Sequence, residues 1–215
     1  MKSLILVAIL VLTTLAIGAD PRDILATGTP EEIKSQLGSI RNALERDAFH
    51  WTPLMLAAAQ NHHPEVIVLL LEQGENREAR SLDDWDALMF AAAFNPNRDV
   101  LAALLEAGAD PDRRTRDAWV AGYGVARFTG GMVQFDGLGL FQEAAPEEER
   151  EYGWSALFFA ARYNDSPGVL EELLLAGADP RLRDEHGLTA LDYIVQAGQG
   201  RGEFRKLLEV WTPPE

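Results

Sequence analysis

The chain has no cysteine. That excludes a disulfide scaffold, a thiol nucleophile and a lipid-accepting cysteine near the N-terminus, so stability must come from an ordinary packed core. Cations are scarce too: 19 Lys and Arg stand against 34 Asp and Glu, a formal charge of −15 over 215 residues. Such a balance argues against nucleic acid, whose binding rests on cations neutralising phosphates, and against anionic membrane surfaces. Long apolar runs are lacking, with one exception. Leu4–Ile17 is apolar apart from Thr13-Thr14, follows Lys2, and ends at Gly18-Ala19 before Asp20-Pro21. A basic start, an apolar stretch shorter than the ~20 residues of a membrane span, and small residues at its end are the marks of a secretory signal peptide over residues 1–19. The processed chain is then expected outside the cytoplasm, secreted or periplasmic, with no membrane insertion. An uncleaved N-terminal anchor is the alternative.

What is present in abundance is repetition. Four segments align, beginning Trp51-Thr-Pro-Leu, Trp85-Asp-Ala-Leu, Trp154-Ser-Ala-Leu and Leu188-Thr-Ala-Leu. Their shared leucines, Leu54, Leu88, Leu157 and Leu191, are spaced 34, 69 and 34 residues apart. Alanine pairs follow at 57–58, 91–92 and 160–161. Downstream, Val66, Val100 and Val169 each lie eight residues before Gly74, Gly108 and Gly177, with leucine pairs between them. This spacing puts valine and leucine on one helical face and glycine where helices end in the left-handed conformation. Thr52, Asp86, Ser155 and Thr189 stand at N-cap positions, and Pro53 opens its helix where a missing N–H costs nothing. Each unit reads as helix, turn, helix and glycine-ended loop. One unit cannot bury its apolar stripe alone; stacked neighbours can.

The pattern resembles the ankyrin repeat, with its period near 33 residues and its T-P-L-H-x-A signature. The resemblance implies an all-α solenoid of stacked helix-turn-helix units with short hairpin loops. The signature histidine is replaced by Met55, Met89, Phe158 and Asp192, and the proline survives only at Pro53. Those departures leave open what replaces the histidine hydrogen bonds between turns. Repeats 1 and 2 are assigned to residues 47–114, repeat 3 to 151–183 and a C-terminal capping repeat to 184–215. An N-terminal capping repeat is assigned to 20–46, where Pro21–Ala26 is a short first helix and the capping box Thr29-Pro-Glu-Glu32 opens a second through Leu37.

Residues 115–150 break the period. They are rich in glycine and aromatics, and Gly130-Gly131 between two short runs suggests a two-residue hairpin turn. Two accounts stand: a loop inserted on the hairpin side of the stack, which the missing helical periodicity favours, or a decayed repeat.

Candidate chemistry is sparse. No Gly-x-Ser-x-Gly elbow or phosphate-binding glycine loop occurs. His62-His63 falls in an inter-helix turn, His50 and His186 fall in hairpin turns, and Asp83, Asp84 and Asp86 read as turn and cap residues without calcium-loop spacing. No catalytic residue, metal site or cofactor is expected. An enzyme would need a site in the insertion, which offers mainly Arg116, Asp117, Arg127, Gln134 and Asp136. The resemblance instead places Phe49, Trp51, Trp85, Phe94, Tyr152, Trp154 and Tyr163 on or beside the concave face, with the tryptophans in one row interrupted by the insertion. Aromatic rows of this kind serve as binding anchors or as packing that holds the stack. The expected function is non-catalytic protein binding outside the cytoplasm, by a monomer, with no nucleic acid; an envelope stress-protection factor or an inhibitor masking one enzyme is the alternative.

Overall fold

The computed structural model describes residues 21–45, 50–82, 84–116, 153–197 and 201–212, with the backbone of 128–129 and 132–133. The signal-peptide assignment lies outside them. Among the described residues, ten helices form two layers. The inner layer holds α1 (Pro21–Thr27), α3 (Pro53–Gln60), α5 (Ala87–Phe94), α7 (Ala156–Tyr163) and α9 (Ala190–Ala197). The outer layer holds α2 (Pro30–Leu44), α4 (Pro64–Glu72), α6 (Arg98–Glu106), α8 (Pro167–Leu175) and α10 (Gly202–Trp211). Each inner helix packs on the next inner helix, and each outer helix on the next outer one. Two strands, Phe128–Thr129 and Met132–Val133, pair antiparallel with Thr129 opposite Met132. That register leaves two residues for the turn, as the Gly130-Gly131 pattern suggests, although those glycines lie outside the described residues.

Local chemistry sets the helix ends. Thr29 and Glu32 form the reciprocal capping box, and the helix behind it runs to Leu44 rather than Leu37 because Ile40 and Leu44 continue the buried face of Ile33 and Leu37. The Thr52 and Asp86 side chains accept from the amides of Met55 and Met89. Ser155 departs from this pattern: its hydroxyl is buried and makes no hydrogen bond among the described residues, while the Phe158 amide turns to the Ser155 carbonyl. Gly74, Gly108 and Gly177 take φ of +89°, +86° and +94°. Their amides bond back to Leu71, Leu105 and Leu174 in paired C-terminal caps.

The three central inner helices, α3, α5 and α7, are buried almost throughout, and their alanine pairs let neighbouring backbones approach. The outer helices bury one face only, through Val66, Ile67 and Leu70 in α4 and their counterparts in α6 and α8. Met55, Met89 and Phe158, which stand where the signature has histidine, are 1% exposed and fill this core. At the fourth such place Asp192 completes a capping box, accepting from the Thr189 amide at 2.8 Å while its own amide donates to Thr189 Oγ1 at 3.3 Å. Those contacts hold its carboxyl below the usual range.

The 69-residue gap leaves no break in the stack. α5 packs directly on α7. The Thr115 amide donates to the Trp154 carbonyl at 2.9 Å, as Ser81 does to Trp85 and Asp184 to Leu188 at the same distance. Residues 116–153 thus leave and re-enter at one hairpin tip, where the first hairpin spends only Leu82, Asp83 and Asp84.

Candidate functional site: the aromatic seam of the hairpins

The three tryptophans stand just before the inner helices and lean forward across the stack. The Trp51 ring lies 6.1 Å from Phe90, Trp85 lies 4.3 Å from Phe159, and Trp154 lies 4.8 Å from Tyr193. Phe90, Phe159 and Tyr193 share one register in successive inner helices, so each indole caps the aromatic of the following repeat. Side contacts fill the gaps: Trp85 stacks on Phe94 at 5.8 Å, and Trp154 meets Phe159 edge-on at 5.3 Å. The row is therefore continuous, where the sequence suggested an interruption, because Phe159 touches the tryptophans on both sides of the insertion. Edge-to-face pairs such as these add about 0.5–1.5 kcal/mol each beyond their buried area.

Exposure grades along the seam. Trp154 is 4% exposed, and its indole N–H donates to Asp184 Oδ2 at 3.3 Å. Tyr193 donates to the same oxygen at 2.5 Å, and its hydroxyl is held above its ordinary pKa by burial first and by that carboxylate second. Trp51, Trp85, Phe94 and Tyr163 are half-buried. The Trp85 Nε1–H is enclosed and finds no acceptor among the described residues. Phe94 and Tyr163, 6.4 Å apart, end their helices at the rim, and Arg162 lies 5.7 Å over the Tyr163 ring. Phe49 and Tyr152 lie outside the described residues. Of the candidate contact residues, Trp154 thus sits inside the stack and Phe94 and Tyr163 at its rim.

The structure also brings together residues that sequence reasoning passed over. Asn61, Asn95 and Asn164 end the inner helices, and all are buried. Each Nδ2 donates to two carbonyls of the preceding repeat: Leu25 and Gly28, Ala58 and Asn61, Ala92 and Asn95, all at 2.8–3.0 Å. Each Oδ1 accepts the amide two residues on. These asparagines tie each repeat to the one before it. Arg80, Arg114 and Arg183 make a second ladder along the hairpins, each donating to the turn carbonyl beyond it. Their intervals of 34 and 69 match the leucines, and that period was the available signal.

The core-filling Met55, Met89 and Phe158, the caps and the forward-leaning aromatics match what the sequence of a two-helix repeat demands. Residues 24–115 match ankyrin repeats in three copies, and residues 152–185 match one further ankyrin repeat. The chain belongs to the ankyrin-repeat family. No curated protein matches it. The matched residues take in part of α1 and all of α2, and they end before α9 and α10. Ankyrin repeats are protein–protein interaction modules and are typically non-catalytic. Among the described residues no three His, Asp or Glu side chains are placed to hold a metal ion, and no helix is long and apolar enough to cross a membrane.

Proposed function

We propose that this ankyrin protein is a non-catalytic binding module that acts outside the cytoplasm, secreted or periplasmic. It engages a protein partner along the rim of the aromatic seam, with the inserted segment adding specificity. The observation that carries this reading is the half-buried rim formed by Phe94 and Tyr163, backed by rings that extend through four repeats. Such a surface is stiff before it binds, so docking costs little ordering entropy. The apolar start over residues 1–19 supports the location.

Exchanging residues 116–153 for the three residues that follow Ser81 tests the specificity element. Helical content should persist, since the Thr115–Trp154 bond closes the same hairpin as Ser81–Trp85, while partner capture from the secreted fraction weakens. Unchanged capture would remove the insertion from the proposal. The location is tested by the intact mass of the chain recovered from its own cells: loss of about 19 residues supports export, and a full-length cytoplasmic protein ends that reading.

A further inference from the structure

The hairpin ladder carries a charge imbalance separate from the aromatic seam. At each tip one left-handed residue follows the ladder arginine: Asp84 (φ 61°), Gly153 (φ 73°) and Gly187 (φ 75°). At the first tip the Asp84 carboxylate lies 3.5 Å from Arg80 and 3.8 Å from Arg116. Glu78 there pairs with Arg77 and Arg113. Each arginine named there thus has an ion-pair partner, two arginines to each carboxylate.

Between the second and third tips glycine replaces the carboxylate. Arg114 spends its Nε on the Gly153 carbonyl and an Nη on the Arg183 carbonyl, and Arg183 bonds the Gly187 carbonyl. Neither has an ion-pair partner among the described residues. A Cβ at 153 would stand 2.7 Å from Arg114 Nη2, so a side chain there requires that guanidinium to move. These arginines line one open cleft with Arg116, whose side chain is 81% exposed. Asp184, also in the cleft wall, turns its carboxylate inward to the His186 and Leu188 amides, Trp154 and Tyr193. Glu185 is the one exposed carboxylate of the lining, and it has no ion pair among the described residues. Two guanidinium groups without an ion pair among the described residues, and a third that reaches Asp84 at 3.8 Å, thus line a cleft with one exposed carboxylate in a chain of net charge −15.

We propose that the cleft between the second and third hairpin tips binds a carboxylate carried by an acidic peptide segment of a protein partner. A guanidinium fork matches a carboxylate with two parallel N–H···O bonds. The surrounding negative field repels a polyanion such as nucleic acid. A short segment with few charges is admitted, because that field is screened beyond ~8 Å at physiological salt.

The test is titration of the full chain with a blocked Glu-Gly-Glu peptide, following arginine Nε–Hε signals by NMR. Saturable shifts of Arg114, Arg116 and Arg183 with a Kd on the order of 1 mM support the site. Arg116→Gln, which removes a largely exposed guanidinium and its 3.8 Å contact with Asp84, should weaken binding about tenfold, and Glu185→Gln should tighten it about threefold. Arg77→Gln, in the ion-paired first gap, should change nothing. Inorganic phosphate at equal ionic strength should compete more weakly than the peptide; tighter binding of phosphate overturns the carboxylate assignment. Absence of saturation to about 20 mM peptide, or equal losses in Arg77→Gln and Arg116→Gln, overturns the site. Either result leaves the proposal for the aromatic rim untouched.

Discussion

The two helical layers use the same residues to different ends. Inner helices such as α5, Ala87–Phe94, bury every side chain but the last and sit between neighbours on both flanks. Outer helices such as α4, Pro64–Glu72, bury three side chains and leave Val68 about half exposed. A helix of eight or nine residues is too short to be stable alone in water. Both layers have neighbours on their flanks, but the central inner helices bury nearly every side chain while the outer helices bury one face. The comparison teaches that stability here is shared out by neighbour contact, with inner positions carrying the larger part.

Three measurements can break or sharpen that comparison. The largest effect is expected at Phe159, which is fully buried and touches Trp85 and Trp154. Phe159→Ala should cost about 3–5 kcal/mol in urea unfolding, whereas Val68→Ser in the outer layer should stay within about 0.5 kcal/mol. Equal losses would put the two layers on the same footing and refute the division.

Next comes Asn95→Ala. It strips the Ala58 and Asn61 carbonyls and the Asn97 amide of a buried partner. With about 1 kcal/mol per bond, a loss of about 3 kcal/mol is expected, and Asn95→Asp should not restore it because an ionised carboxylate cannot donate to carbonyls. A loss under about 1 kcal/mol would mean that water replaces the side chain readily.

The smallest effect is a pH dependence. Burial pushes the Asp86 carboxyl up, against the Met89 amide and the Arg80 and Arg113 charges. Its folded form therefore prefers the proton, so the stability it contributes is full below the unfolded pKa near 3.9 and declines as pH rises through the folded value. Glu32 and Asp192 are lowered by their capping amides and act in the opposite sense: their contribution is present at neutral pH and lost as pH falls through their folded values. Asp86→Asn keeps a capping oxygen without the buried charge. Its melting temperature should exceed that of the unaltered chain at pH 7 and converge with it near pH 3. A constant difference across that range would show that Asp86 carries no coupled proton.

Much of this was legible in the sequence, because repeats multiply weak signals. The recurring leucines, paired alanines and glycine-ended helices located the inner and outer elements, and Thr29 through Glu32 located a cap. The ladders were not read, although Asn61, Asn95 and Asn164 recur with the leucines. Asparagine alone signals only a turn, and its reach to a carbonyl some 34 residues away becomes visible once two units are stacked. The forward lean of the tryptophans was hidden for a related reason. Register places Trp85 and Trp154 in one column, but only three-dimensional stacking puts Phe159 between them.

The asparagine series ends at α9. There the Asn164 carbonyl is met by the guanidinium of Arg201, a long side chain that also reaches the Arg162 carbonyl at 3.3 Å and Asp165 at 3.4 Å. The terminal unit is therefore fastened by one long side chain, 15% exposed, where its predecessors have short, enclosed amides. On warming, α9 and α10 should peel away together ahead of the rest, and a protease added at that temperature would trim the molecule from this end while the first repeats still resist it.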